Sequence, residues 1–71
     1  MTKTYRVSVD CADCAAKIER AITKLEGVEQ ARLNFLTQKL RISADEARFN
    51  EVMDEVERVG RRVERDFALA R

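Results

Sequence analysis

The stretch Tyr5-Arg6-Val7-Ser8-Val9-Asp10-Cys11-Ala12-Asp13-Cys14-Ala15-Ala16-Lys17-Ile18-Glu19-Arg20-Ala21-Ile22 changes its hydrophobic period halfway along. Tyr5, Val7 and Val9 alternate with Arg6, Ser8 and Asp10, the period of two that marks a half-buried strand. From Cys14 onward Ile18, Ala21, Ile22 and Leu25 recur at helical spacing, while Lys17, Glu19, Arg20, Thr23 and Lys24 take the other face. A strand therefore feeds a helix. The chain's two cysteines, spaced Cys-x-x-Cys, fall at the junction.

Outward from this stretch the pattern continues. Gly27 follows Leu25-Glu26 where a left-handed helix C-cap belongs. Ala31, Leu33 and Phe35 alternate with Gln30, Arg32 and Asn34 as a second strand. Leu36-Thr37-Gln38 reads as a turn, and Leu40 and Ile42 continue into a third strand. Ser43-Ala44-Asp45-Glu46 supplies capping residues, with Asp45 or Ser43 as the N-cap. Phe49, Val52, Met53, Val56 and Val59 form the stripe of a second helix that Gly60 is expected to end. Val63, Phe67 and Leu69 are the apolar positions of a last strand, expected at an edge because Arg62, Glu64, Arg65 and Asp66 surround them. The order predicts an α+β fold, the ferredoxin-like βαββαβ sandwich, with a four-stranded antiparallel sheet and both helices on one face. Met53, Tyr5, Phe35, Phe49 and Phe67 read as core. With no proline and no linker, residues 1–71 are expected to form a single domain.

Composition removes several function classes. Fourteen Lys and Arg against thirteen Asp and Glu leave a net charge of +1, so no basic excess argues for nucleic acid. No apolar run approaches the roughly 20 residues that span a bilayer, so no membrane insertion is expected. The start of the chain lacks the apolar core of a signal peptide, which makes a cytoplasmic location and reduced thiols the expectation. A water-excluding substrate cleft is hard to fit into so small a domain. Histidine is absent, so any metal site must be built from thiolate and carboxylate.

Two thiols three positions apart either converge on one metal ion or close a small disulfide loop. At the start of a helix, backbone N–H groups and the helix dipole favour thiolate, which serves both purposes. Asp10 and Asp13, each directly before a cysteine, oppose thiolate accumulation but suit the gathering of a divalent cation. Asp13 is expected to face solvent. Two thiols with one or two carboxylates leave the shell open compared with a four-ligand structural zinc site. The rival reading, a thiol–disulfide redox protein, lacks an aromatic before Cys11 and a proline between the thiols.

The chain resembles the heavy-metal-associated domains, which occur as copper chaperones, as N-terminal domains of metal-transporting P-type ATPases and at the N-terminus of mercuric reductase. The resemblance lies in Asp10-Cys11-Ala12-Asp13-Cys14-Ala15-Ala16-Lys17-Ile18-Glu19, in Leu25-Glu26-Gly27-Val28, in Ala31-Arg32-Leu33-Asn34-Phe35 and in Glu57-Arg58-Val59-Gly60. It implies Cys11 and Cys14 as metal ligands. Val9 stands where the family carries a methionine that packs beneath the metal loop. Asp10 is similar to the aspartate of the zinc-, cadmium- and lead-exporting ATPases, where it is a third ligand. An added oxygen suits Zn(II), Cd(II) or Pb(II), whereas Cu(I) is content with two thiolates. Arg61, at a position near the family's metal loop, could offset the charge of bound thiolates and pulls toward the alternative, a free-standing Cu(I) metallochaperone. The resemblance implies a metal-binding module rather than an enzyme. Its expected partners are other domains of a membrane transporter or a metal-delivering protein. The expected state is a monomer, with exposed thiols allowing a metal-bridged dimer.

Overall fold

Tyr5 and Val7 turn inward from the first strand, and Leu40, Ile42 and Ala44 turn inward from the third, where all three are fully buried. The computed structural model describes the whole chain, Met1–Arg71. Its elements are β1 (Thr2–Ser8), α1 (Ala12–Thr23), β2 (Val28–Asn34), β3 (Lys39–Ala44), α2 (Phe49–Val63) and β4 (Ala68–Ala70), with one 3-10 turn over Glu46–Arg48 ahead of α2. The sheet order is β2-β3-β1-β4, and every neighbouring pair is antiparallel. The expected βαββαβ sandwich is the fold observed.

Burial explains the stacking. Ala15, Ile18 and Ile22 of α1 and Phe49, Val52, Met53 and Val56 of α2 join the inward strand residues in one cluster of 15 buried side chains. Fully burying an isoleucine or leucine contributes about 1.5–3 kcal/mol, so Ile18, Ile22, Leu40 and Ile42 carry much of the stability. The expected turn is present after Asn34. Asn34 Oδ1 accepts from the N–H groups of Leu36 at 2.9 Å and Thr37 at 3.2 Å, which leaves Leu36 exposed at its tip. Phe35 lies in this turn rather than in β2 and is half-buried. Asp45 is the cap, as expected, but of the 3-10 turn, accepting from Ala47 N–H at 3.1 Å. Gly27 adopts φ +93, the left-handed conformation the sequence suggested, three residues beyond the α1 C-cap at Lys24.

The C-terminal third departs from expectation. Gly60 does not end the second helix; α2 runs on to Val63, and Gly60 is buried within its last turn. A Cβ on Gly60 would come within 2.5 Å of the Phe67 ring, so the glycine is there for close packing rather than for termination. Val63 is accordingly helical and partly exposed, not a strand residue. The last strand shrinks to Ala68–Ala70 and lies at the sheet edge, paired with the end of β1 that leads into the cysteines. Phe67, just before it, fills the core. Arg71 then ties the C-terminus to α2 through Asp54 at 2.8 Å and Glu57 at 3.2 Å.

Candidate metal centre

β1 stops at Ser8, and Val9 plunges into the core with only 4% of its surface exposed. That burial matches the plug expected beneath the loop. Its backbone is held from the opposite turn: Val9 N–H donates to Gln38 Oε1 at 2.8 Å, and Gln38 Nε2 donates to the Phe35 carbonyl at 2.7 Å. Gln38 sits at φ 56 and its own carbonyl accepts from Val7 N–H at 2.9 Å. One side chain thus fixes where the loop leaves the sheet. Nothing local in the sequence marks Gln38 for this role, because its partner lies 29 positions away.

Cys11 occupies the N-cap position of α1 with extended backbone, and its carbonyl accepts the first helical bond from Ala15 N–H at 2.9 Å. Cys14 lies in the first helical turn. Both are free thiols and half-buried, open to solvent on one side. Asp10 and Asp13 are exposed, and neither side chain makes a hydrogen bond or ion pair. The chain brings no three Cys, Asp or Glu side chains together as a ready-made cage. What the fold does bring to the thiols is Glu64, at the C-cap of α2: Cys14 Sγ donates to Glu64 Oε2 at 3.2 Å. The resemblance points to Arg61 for this neighbourhood. Arg61 is exposed on α2 and makes no bond to the motif, and the residue that reaches the thiols carries the opposite charge.

The two thiols differ in acidity. The Cys14 backbone N–H, and after it the Cys14 thiol, stabilise charge on the Cys11 sulfur and hold its pKa below the ordinary value. Cys14 is pushed up to about 12, first because its proton is shared with Cys11 and then because it is shared with Glu64. The helix start therefore does not favour ionisation of both thiols. One sulfur becomes the readily ionised partner and the other keeps the pair's proton. Since thiolate is the reactive form, iodoacetamide at about pH 8 is expected to give a single adduct on Cys11 before any on Cys14. Fragment-ion mass spectrometry of the peptide bearing both residues reads the order directly. An adduct appearing first on Cys14 contradicts this arrangement.

Soft sulfur donors on a helix N-terminus, carboxylates on both sides and no imidazole make a donor set for a soft or borderline cation. Comparison with known proteins agrees. The family model described as heavy-metal-associated domain matches residues 4–62. A zinc/cadmium/lead-transporting P-type ATPase of Escherichia coli is 42% identical over 55 residues, which are 76% of this chain and 7% of that transporter. A probable copper-exporting P-type ATPase of Archaeoglobus fulgidus is 43% identical over 51 residues, 70% of this chain and 6% of that protein. Among solved structures, the N-terminal domain of ZntA in its apo form superposes with a TM-score of 0.74 and 34% identity, covering 97% of this chain and 88% of that one.

Proposed function

The chain belongs to the heavy-metal-associated domain family, a family of metal-binding modules, and on that premise we propose that it carries a divalent cation, Zn(II), Cd(II) or Pb(II), between Cys11, Cys14 and Asp10. The cation is cargo, passed on by ligand exchange. The observation that carries the reading is the pair of free, solvent-open thiols at the N-cap and first turn of α1, with Asp10 directly before the first. Because these donors are not assembled beforehand into a closed cage, an incoming thiolate can enter before an outgoing one leaves. The similarity to the zinc/cadmium/lead transporter supports a role as the metal-binding domain of an exporting P-type ATPase, with residues 1–71 as one folded unit on the cytoplasmic side. Its partners are then the transporter's other domains, and a metal-bridged dimer is the alternative to a monomer. The similarity to the copper exporter favours a second reading, Cu(I) delivery through the two sulfurs alone.

Asp10→Ala separates the two. For a divalent cargo, loss of the carboxylate is expected to weaken Zn(II) and Cd(II) binding by about tenfold or more, the scale reached even by second-shell losses. Cu(I) affinity should stay where it is, since two thiolates satisfy that ion. Competition against a chromophoric chelator measures both. Unchanged Zn(II) and Cd(II) affinity removes Asp10 from the site and with it the main support for a divalent cargo.

A further inference from the structure

Glu64 stands 50 positions from Cys14 in sequence, yet its Oε2 lies 3.2 Å from the Cys14 sulfur. Its other oxygen, Oε1, accepts from Asp66 N–H at 3.4 Å, so the carboxylate is aimed by the turn between α2 and β4. The same residue's backbone closes that turn, accepting from Phe67 N–H at 3.0 Å. Although Arg62 and Arg65 are close in sequence, no ion pair of the chain involves Glu64. A half-buried carboxylate without a cationic partner, held against one of the two thiols, sets an oxygen donor beside a sulfur donor.

We propose that Glu64 is an oxygen ligand of the cation carried by Cys11 and Cys14. This inference rests on the divalent-cargo reading above and extends it. With metal–sulfur and metal–oxygen bonds of about 2.3 and 2.1 Å, a tetrahedral ion holds its sulfur and oxygen about 3.6 Å apart. The observed 3.2 Å needs to open by only about 0.4 Å, within reach of a small side-chain rotation. The cation takes the place of the thiol proton between Sγ and Oε2, and that proton leaves to solvent. With Asp10, the shell then reaches two sulfurs and two oxygens, the usual coordination number of zinc, at the same net charge as a four-thiolate site. The donors also come from distant parts of the sequence, so loading the metal clamps the α2–β4 turn against the start of α1.

The test is chelator competition for Zn(II), Cd(II) and Cu(I) on the full chain and on Glu64→Gln, together with 113Cd NMR of both. Glutamine keeps the size and a hydrogen-bond acceptor for Cys14, so the fold has no reason to change. The expected result is a fall of about tenfold or more in Zn(II) and Cd(II) affinity. The 113Cd resonance should move in the direction of fewer oxygen ligands, with Cu(I) affinity held within about twofold. Unchanged Zn(II) and Cd(II) binding overturns the proposal, as does an equal loss of Cu(I), which marks a structural effect. A fall in affinity with an unmoved 113Cd resonance overturns it too, leaving Glu64 outside the shell. Failure of the parent reading looks different: the unaltered chain would then hold Zn(II) and Cd(II) no better than a variant lacking Cys14.

Discussion

Serine in place of Cys14 is expected to abolish tight metal binding while leaving the fold in place. The chain has no histidine, its two cysteines are its only thiols, and one of its two methionine thioethers, Met53, is buried in the core. A serine hydroxyl is a hard oxygen that keeps its proton at neutral pH, so it replaces neither the charge nor the polarisability of a thiolate. The loss should exceed the roughly 100-fold that removal of an outer-shell partner causes, since here a ligand itself goes. It should fall on Zn(II), Cd(II) and Cu(I) alike, unlike the selective losses expected at Asp10 and Glu64. Stability is a separate matter. The Cys14 thiol is half-buried, and its polar contacts, to Cys11 and to Glu64, are ones that a hydroxyl can also make. The change in unfolding free energy should stay within about 1 kcal/mol, the net worth of one hydrogen bond. Chelator competition and a thermal melt on the same sample check both halves. A serine variant that still holds zinc as the unaltered chain does would remove the dithiol from the centre of this account.

The contrast between what sequence revealed and what it concealed follows the distance over which each interaction acts. The Cys-x-x-Cys pair at a strand–helix junction, the left-handed Gly27 and the Asp45 cap all have local causes, and local pattern identifies them. The inward faces of β1, β3 and both helices follow from period alone. Gly60 shows the limit. A glycine after an apolar stripe reads as a stop signal, but here it is a space left for the ring of Phe67, seven positions on. Only the fold says which of these two uses of glycine applies, and with it moved the boundary of α2 and the start of β4. Glu64 and Gln38 escaped for a stronger version of the same reason. Each acts across 29 positions or more, on Val9 N–H or the Cys14 thiol, and a polar residue in a turn carries no mark of a partner so distant. Glu19 is a milder case. It reads as part of a solvated helix face, yet its Oε2 accepts from Leu33 N–H at 2.8 Å on edge strand β2.

Alanine in place of Gly60 is the second large effect. On helix propensity alone the change should help, because alanine is favoured over glycine by about 1 kcal/mol in a helix interior. The packing says the reverse. The new methyl group would lie 2.5 Å from two carbons of the Phe67 ring, far inside van der Waals contact. Phe67 is 2% exposed and belongs to the core cluster, so its ring yields only by disturbing its neighbours. Overpacking of a well-filled core costs about 1–3 kcal/mol, and at this separation the upper part of that range applies. The net expectation is a loss of about 1–2 kcal/mol, or roughly 10 °C in Tm for a domain of this size. That is a large share of the stability of so small a chain, at about 0.05–0.15 kcal/mol per residue. Phe67→Leu tests the cause. Alone it removes buried ring atoms and destabilises; combined with Gly60→Ala it vacates the space the methyl group needs, so the double variant should lose less than the two single losses added together, by about 1 kcal/mol. A Gly60→Ala chain that melts at or above the parental temperature would show that helix propensity outweighs the Phe67 contact. The metal site should register the same substitution. Phe67 N–H bonds the Glu64 carbonyl at 3.0 Å, so a displaced ring shifts the turn that holds the Glu64 carboxylate against Cys14.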